Sequence, residues 1–123
     1  MKLDTGKLNT DENIFLKFLS VREGGLIKLV DTDKMTRICF EEGFSFLYAE
    51  GRRFLTDKSL NDYEKILEPK VFFRTSRTDI VNISLIDSIH PVCNGHFIIE
   101  LKDKSKIPLS RRRAKELRKI LNF

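Results

Sequence analysis

Short apolar runs broken by turn residues dominate the chain. Residues 14–21 (IFLKFLSV) and 26–30 (LIKLV) flank Glu23-Gly24-Gly25, an arrangement that predicts a β-hairpin. Asp31-Thr32-Asp33 marks a turn, and three more strands are predicted over 37–40, 44–49 and 52–56, the last two joined by Glu50-Gly51. The period then changes. Leu60, Tyr63, Ile66 and Leu67 recur at helical spacing behind Ser59, a good N-cap, and Pro69 stops the run. Two turns of helix are too short to be stable alone, so this one needs a sheet to pack on. Strands return over 71–74 and 80–82 around a polar loop, Thr75-Ser76-Arg77-Thr78-Asp79. Residues 86–93 and 97–101 then flank Asn94-Gly95, the strongest hairpin signal in the chain, and 106–109 predict a last short strand. A closing helix is predicted over 111–121, with Ala114, Leu117 and Leu121 on one face. Residues 1–13 are polar and aperiodic and read as a flexible lead-in or linker remnant, which leaves 14–123 as one mainly β domain.

A length of 123 residues is enough to bury one core, and ten Phe with no Trp supply most of its aromatic volume. No run approaches the roughly 18 apolar residues of a membrane span, and the first residues lack the apolar centre of a signal peptide, so a cytoplasmic location is expected. Cys39 and Cys93 lie far apart in apolar surroundings, which fits two reduced core thiols better than a disulfide framework.

Charge changes the picture more. Residues 1–69 hold 11 Lys and Arg against 13 Asp and Glu, net −2, whereas residues 70–123 hold 12 against 5, net +7. A half-chain excess of this size suits a protein that neutralises phosphates, because each one releases a condensed counterion. Two segments in that half carry candidate chemistry. Arg111, Arg112 and Arg113 follow Ser110 into the first turn of a helix, where the macrodipole is already positive, and Lys115 lies one turn on. An anion would relieve that conflict, and Arg can read guanine O6 and N7 through two hydrogen bonds; a solubilising basic face is the other reading of the same run. The second segment runs from Phe72 through Arg74, Ser76, Arg77 and Thr78 to Asn82. Its guanidinium and hydroxyl groups suit phosphates and base edges, although an ordinary surface turn has the same composition.

An ordered series of motifs joins these segments: Phe73-Arg74-Thr75-Ser76-Arg77-Thr78, Ile80-Val81-Asn82, Ile86-Asp87-Ser88-Ile89-His90-Pro91, Asn94-Gly95, Leu101-Lys102-Asp103 and Pro108-Leu109-Ser110-Arg111-Arg112. The series resembles the LytTR domain of bacterial transcription regulators, and the similarity extends over about residues 15–121. The resemblance implies about ten strands in small antiparallel sheets, with a short helix between them and a short C-terminal helix. It further implies sequence-specific binding to double-stranded DNA at imperfect direct repeats, with three loops in successive major grooves. By position those loops are the turn around Glu42-Gly43-Phe44-Ser45, the Ser76-Arg77-Thr78 loop, and Ser110 to Arg113, with Arg112 at the place of a base-contacting Arg. Ser76 stands where the family usually has His, Asp79 where it has an apolar or aromatic residue, and Glu41-Glu42-Gly43-Phe44 is acidic where it has Gly-Asn-Tyr. Such domains usually follow a phosphorylatable receiver, so the chain is expected to be either a fragment of a two-component response regulator or a stand-alone regulator, with a second copy on DNA as a further partner.

His90, Cys93 and His96 lie within seven residues but alternate across a tight hairpin with no fourth ligand nearby, so neither metal nor other cofactor is expected. Hydrolase, kinase and nucleotide-binding signatures are missing from the sequence, and a non-catalytic protein is expected. The rival to DNA binding is an interaction module whose basic face meets an acidic protein or an anionic membrane surface.

Overall fold

The structure, a computed structural model, describes residues 17–123; the lead-in expected over 1–13 and the first residues of the strand predicted from 14 lie outside them. Among the described residues, ten strands form three antiparallel sheets. Strands β1 (Phe18–Glu23) and β2 (Leu26–Asp31) pair through the Gly24-Gly25 turn as a two-stranded ribbon. The middle sheet has five strands in the order β5-β4-β3-β7-β6, comprising β3 (Met35–Glu41), β4 (Phe44–Ala49), β5 (Arg52–Thr56), β6 (Phe72–Arg74) and β7 (Asp79–Asn82). A three-stranded sheet of β8 (Ile86–Pro91), β9 (Phe97–Leu101) and β10 (Lys106–Leu109) follows, with β9 in the centre. Helix α1 (Leu60–Ile66) precedes β6, and α2 (Arg111–Leu121) follows β10.

Strand alternation explains why the middle sheet serves two cores. Successive side chains of a strand point to opposite faces. Phe72 and Ile80 therefore join Leu19, Val21, Val30, Ile38 and Leu47 in one core, which α1 closes with Leu60, Tyr63 and Leu67. Phe73 and Val81, paired across β6 and β7, face the other way and pack with Ile99, Leu101, Ile107 and Leu109 of the third sheet and Ala114 and Leu117 of α2. The short β6–β7 hairpin is thus gripped from both sides, and the polar loop at its tip is fixed to both cores.

Buried polar groups lock the layers together. Asn82, fully buried, donates to the Met35 carbonyl at 2.8 Å and accepts from the N–H of Ser84 at 2.9 Å, tying the end of β7 to the start of β3. Thr36 donates from a buried hydroxyl to Asp103 in the β9–β10 turn at 3.1 Å, joining the middle and third sheets. Such groups stabilise only when partnered, because an unpaired buried donor costs roughly 1–3 kcal/mol.

The observed elements follow the predicted ones, with shifts at the ends. Strand β3 starts at Met35, two residues early, with a register shift between Met35 and Arg37. Strand β8 stops at Pro91, and Cys93 opens a 3₁₀ turn in which Asn94 (φ 60°) and Gly95 (φ 76°) make the left-handed reversal. That turn corrects the reading of the cysteines. Cys39 is buried in β3, but Cys93, expected in the core, is exposed because the turn carries it off the sheet.

Candidate nucleic-acid interface

One end of the middle sheet gathers two loops. The β3–β4 turn, Glu42-Gly43, and the β6–β7 loop come together because β3 pairs with β7 from Arg37↔Val81 to Cys39↔Asp79. Beyond the last paired residues, the Phe40 N–H donates to the Thr78 carbonyl at 2.9 Å. Glu41, at the base of the β3–β4 turn, accepts from the Tyr48 hydroxyl at 2.8 Å, and that hydrogen bond holds its carboxyl below the usual carboxylate range. Arg53 reaches the same carboxylate at 3.4 Å while its guanidinium lies 4.2 Å above the Phe46 ring, so the cation on this side is already paired.

Arg74 shapes the β6–β7 loop from beneath. Its guanidinium donates to the carbonyls of Ser76 at 2.7 Å and Arg77 at 2.8 Å, and to Asn61 at 2.9 Å and Glu64 at 3.0 Å on α1. With 11% of its side chain exposed, Arg74, one of the DNA-contact candidates of the sequence, spends its guanidinium on these internal bonds. Ser76, Arg77 and Thr78 form the outer surface of the loop, with Arg77 and Thr78 exposed. Thr78 donates to Asp79 Oδ2 at 2.9 Å, and Asp79 Oδ1 accepts from Arg37 at 3.4 Å.

The third candidate segment starts at Ser110, the N-cap of α2, whose hydroxyl accepts from the Arg113 N–H at 3.2 Å. The first turn holds three Arg and no acidic residue, and Ala114 and Leu117 anchor the helix in the core. Leu121, expected on the same face from the helical period, is exposed. Arg111 lays its stem over the β8–β9 turn: a Cβ added at Gly95 would sit 2.9 Å from Arg111 Cδ. Arg113 is half-buried and pairs with Glu116 at 3.2 Å. Arg112 and Lys115 are exposed, and among the described residues no hydrogen bond or ion pair engages the side chains of Arg77, Arg111, Arg112 or Lys115.

These two basic segments, more than thirty residues apart in sequence, share one concavity of about 570 Å³. Thr75, Ser76 and Arg77 line it together with Ser110, Arg112 and Arg113, and Val92, His96, Phe97 and Pro108 belong to the same lining. The sequence did not reveal the contribution of Val92, His96 and Phe97, since nothing in the β8–β9 hairpin motif shows that it lines the same concavity as the two loops. His90, by contrast, is taken up locally, within 2.8 Å of the Ser88 hydroxyl and 3.5 Å of Glu100. Among the described residues no three His, Cys, Asp or Glu side chains cluster as metal ligands would, and no helix is long and apolar enough to cross a membrane.

Comparison with known proteins gives a consistent set of relatives. Residues 25–122 match the family model of the LytTr DNA-binding domain. The sensory transduction protein LytT of Bacillus subtilis is 34% identical over 105 residues, which are 85% of this chain and 44% of that protein. The transcriptional regulatory protein YpdB of Escherichia coli K12 is 30% identical over 83 residues, 67% of this chain and 34% of that one. The chain therefore spans less than half the length of these relatives. Among solved structures, the LytTr DNA-binding domain of a methyl-accepting/DNA response regulator from Bacillus cereus superposes with a TM-score of 0.80 at 23% identity, covering 88% of this chain and 99% of that one.

Proposed function

Because this chain belongs to the LytTR DNA-binding domain family, we propose that it reads double-stranded DNA sequence-specifically, seating its loops in successive major grooves, and that it regulates transcription in a bacterial cytoplasm. The observation that carries this reading is that Arg77 and Arg112, both free of internal partners among the described residues, line one concavity. Two unpaired guanidinium groups presented by rigid elements are suited to guanine edges, which accept two hydrogen bonds through O6 and N7. Arg111, Arg113 and Lys115 surround the N-terminus of α2, where free N–H groups and the helix dipole add to the pull on a phosphate. Arg113 must exchange Glu116 for the anion, and Ser110 caps the helix that presents them. Arg74 serves the interface from inside by fixing the shape of the Ser76-Arg77-Thr78 loop.

The relatives add the regulatory context. They are regulators of which this chain matches less than half, so we assign it the role of an output domain, either behind a receiver domain or as a stand-alone regulator, acting as two copies on imperfect direct repeats. Selection of bound sequences from random duplex DNA tests the whole reading. The expected pool is enriched in a repeated motif in direct orientation, and a pool without enrichment contradicts it.

A further inference from the structure

The hydroxyl groups of the β6–β7 loop have a fixed polarity. A carboxylate oxygen only accepts, so Thr78 Oγ1 spends its one proton on Asp79 Oδ2 at 2.9 Å. The 3.1 Å contact between Ser76 Oγ and Thr78 Oγ1 must then take its proton from Ser76, because Thr78 has none left. Ser76 Oγ also accepts from the Thr78 N–H at 3.1 Å. Both hydroxyl protons are committed inside the loop, and each oxygen keeps one open lone pair. Asp79 is itself held in place. Its carboxylate and the guanidinium of Arg37 are 3.4 Å apart with 17% and 16% of their side chains exposed, and Arg37 stacks 4.1 Å above the Tyr48 ring.

We propose that Asp79 decides which base this loop reads: by taking the hydroxyl protons, it leaves Ser76 and Thr78 as acceptors that recognise an exocyclic amino group in the major groove, adenine N6 or cytosine N4. The inference rests on the DNA-binding reading above and deepens it. Phosphate oxygens, guanine O6 and N7, and thymine O4 offer no proton to a hydroxyl that can only accept, so these two side chains are excluded from them. Arg77, between the two hydroxyls, only donates. The loop therefore presents a donor flanked by acceptors, which matches adenine alone, with its N7 acceptor and N6 donor, or a G·C pair read across both strands. Asp79 is a positioning residue here, since it acts through Thr78 and touches no base.

The test uses the duplex selected by the wild-type protein. Each adenine is replaced in turn by purine, which lacks the 6-amino group, and each cytosine by 2-pyrimidinone, which lacks the 4-amino group. One such deletion is expected to weaken wild-type binding roughly tenfold, and whether it falls on an adenine or a cytosine identifies the base. The same deletion is expected to cost nothing in whichever of Ser76→Ala and Thr78→Val removes the oxygen that accepts the amino proton. Asp79→Asn keeps an oxygen for Arg37 but turns an amide donor toward Thr78, which returns a hydroxyl proton to the surface. Renewed selection with that variant is expected to replace the amino-bearing base with one that presents an acceptor. Should Asp79→Asn fail to fold, the two hydroxyl variants decide the matter. Selective binding that ignores every amino deletion, or that pays the same penalty in Ser76→Ala and Thr78→Val, overturns the inference and leaves the DNA reading standing. Failure of the wild type to separate the selected duplex from a scrambled one removes both.

Discussion

Arg74 and Arg77 are three positions apart on one loop, and their surroundings give them opposite tasks. Arg74 makes four internal hydrogen bonds, so its removal strands the carbonyls of Ser76 and Arg77 and the side chains of Asn61 and Glu64. Arg74→Ala is expected to cost about 2 kcal/mol of stability by denaturant titration; no change in the midpoint would show that these bonds do not hold the loop. Arg77→Ala removes an exposed side chain without internal partners among the described residues and is expected to leave the same midpoint unmoved. The cysteines divide in a similar way. Burial pushes the Cys39 thiol up to about 11, whereas Cys93 is exposed. Under native conditions near pH 8 a thiol reagent should add once, at Cys93, as read by peptide mass; a second adduct at Cys39 would contradict the packing of β3. The sign of the pH effect follows from the raised value. Between the ordinary thiol value of about 9 and the folded value of about 11 the folded state holds the proton more tightly. Cys39 thus contributes stability that is present below pH 9 and lost as the pH rises toward 11.

Elements were more legible from the sequence than the contacts between them. The period-2 runs, the Ser59 and Ser110 caps and the Gly-containing turns locate strands and helices because each depends on residues close in the chain. The inward turn of Arg74 was hidden because its partners Asn61 and Glu64 lie on α1, beyond any local pattern. Asp79 read as a departure from the family pattern, and only the pairing of β3 with β7 shows that it meets Arg37, 42 positions away. The exposure of Cys93 was missed for a different reason: an apolar stretch cannot say at which residue a strand gives way to a turn. The β8–β9 turn also carries an element-scale prediction. Gly95 has φ 76° and lies under the stem of Arg111, so Gly95→Ala combines a left-handed penalty with a collision at Arg111 Cδ. A loss of about 1–2 kcal/mol is expected, together with weaker DNA binding as the start of α2 shifts. Unchanged stability would mean that this turn does not fix the helix.

At the scale of the whole molecule, two cores share one middle sheet, and that arrangement brings together the segments, far apart in sequence, of the proposed recognition surface. The surface lies in the half of the chain with net charge +7, so part of its attraction for DNA is independent of sequence. Lys115→Ala and Lys119→Ala are each expected to weaken binding to all duplexes about equally and to lower the log–log salt slope by about one. A slope that neither change alters would place both lysines off the phosphates. Charge alone, however, also suits an acidic protein or an anionic membrane surface, and only information separates these from a reader of DNA. The decisive measurement is the affinity of wild type, Arg77→Ala and Arg112→Ala for a selected and a scrambled duplex at one salt concentration. If the two loops read bases, each variant loses about 1–3 kcal/mol on the selected duplex, far less on the scrambled one, and relaxes its preference at a different base position. Equal losses on both duplexes would contradict the account, since the two arginines would then supply charge and no sequence information.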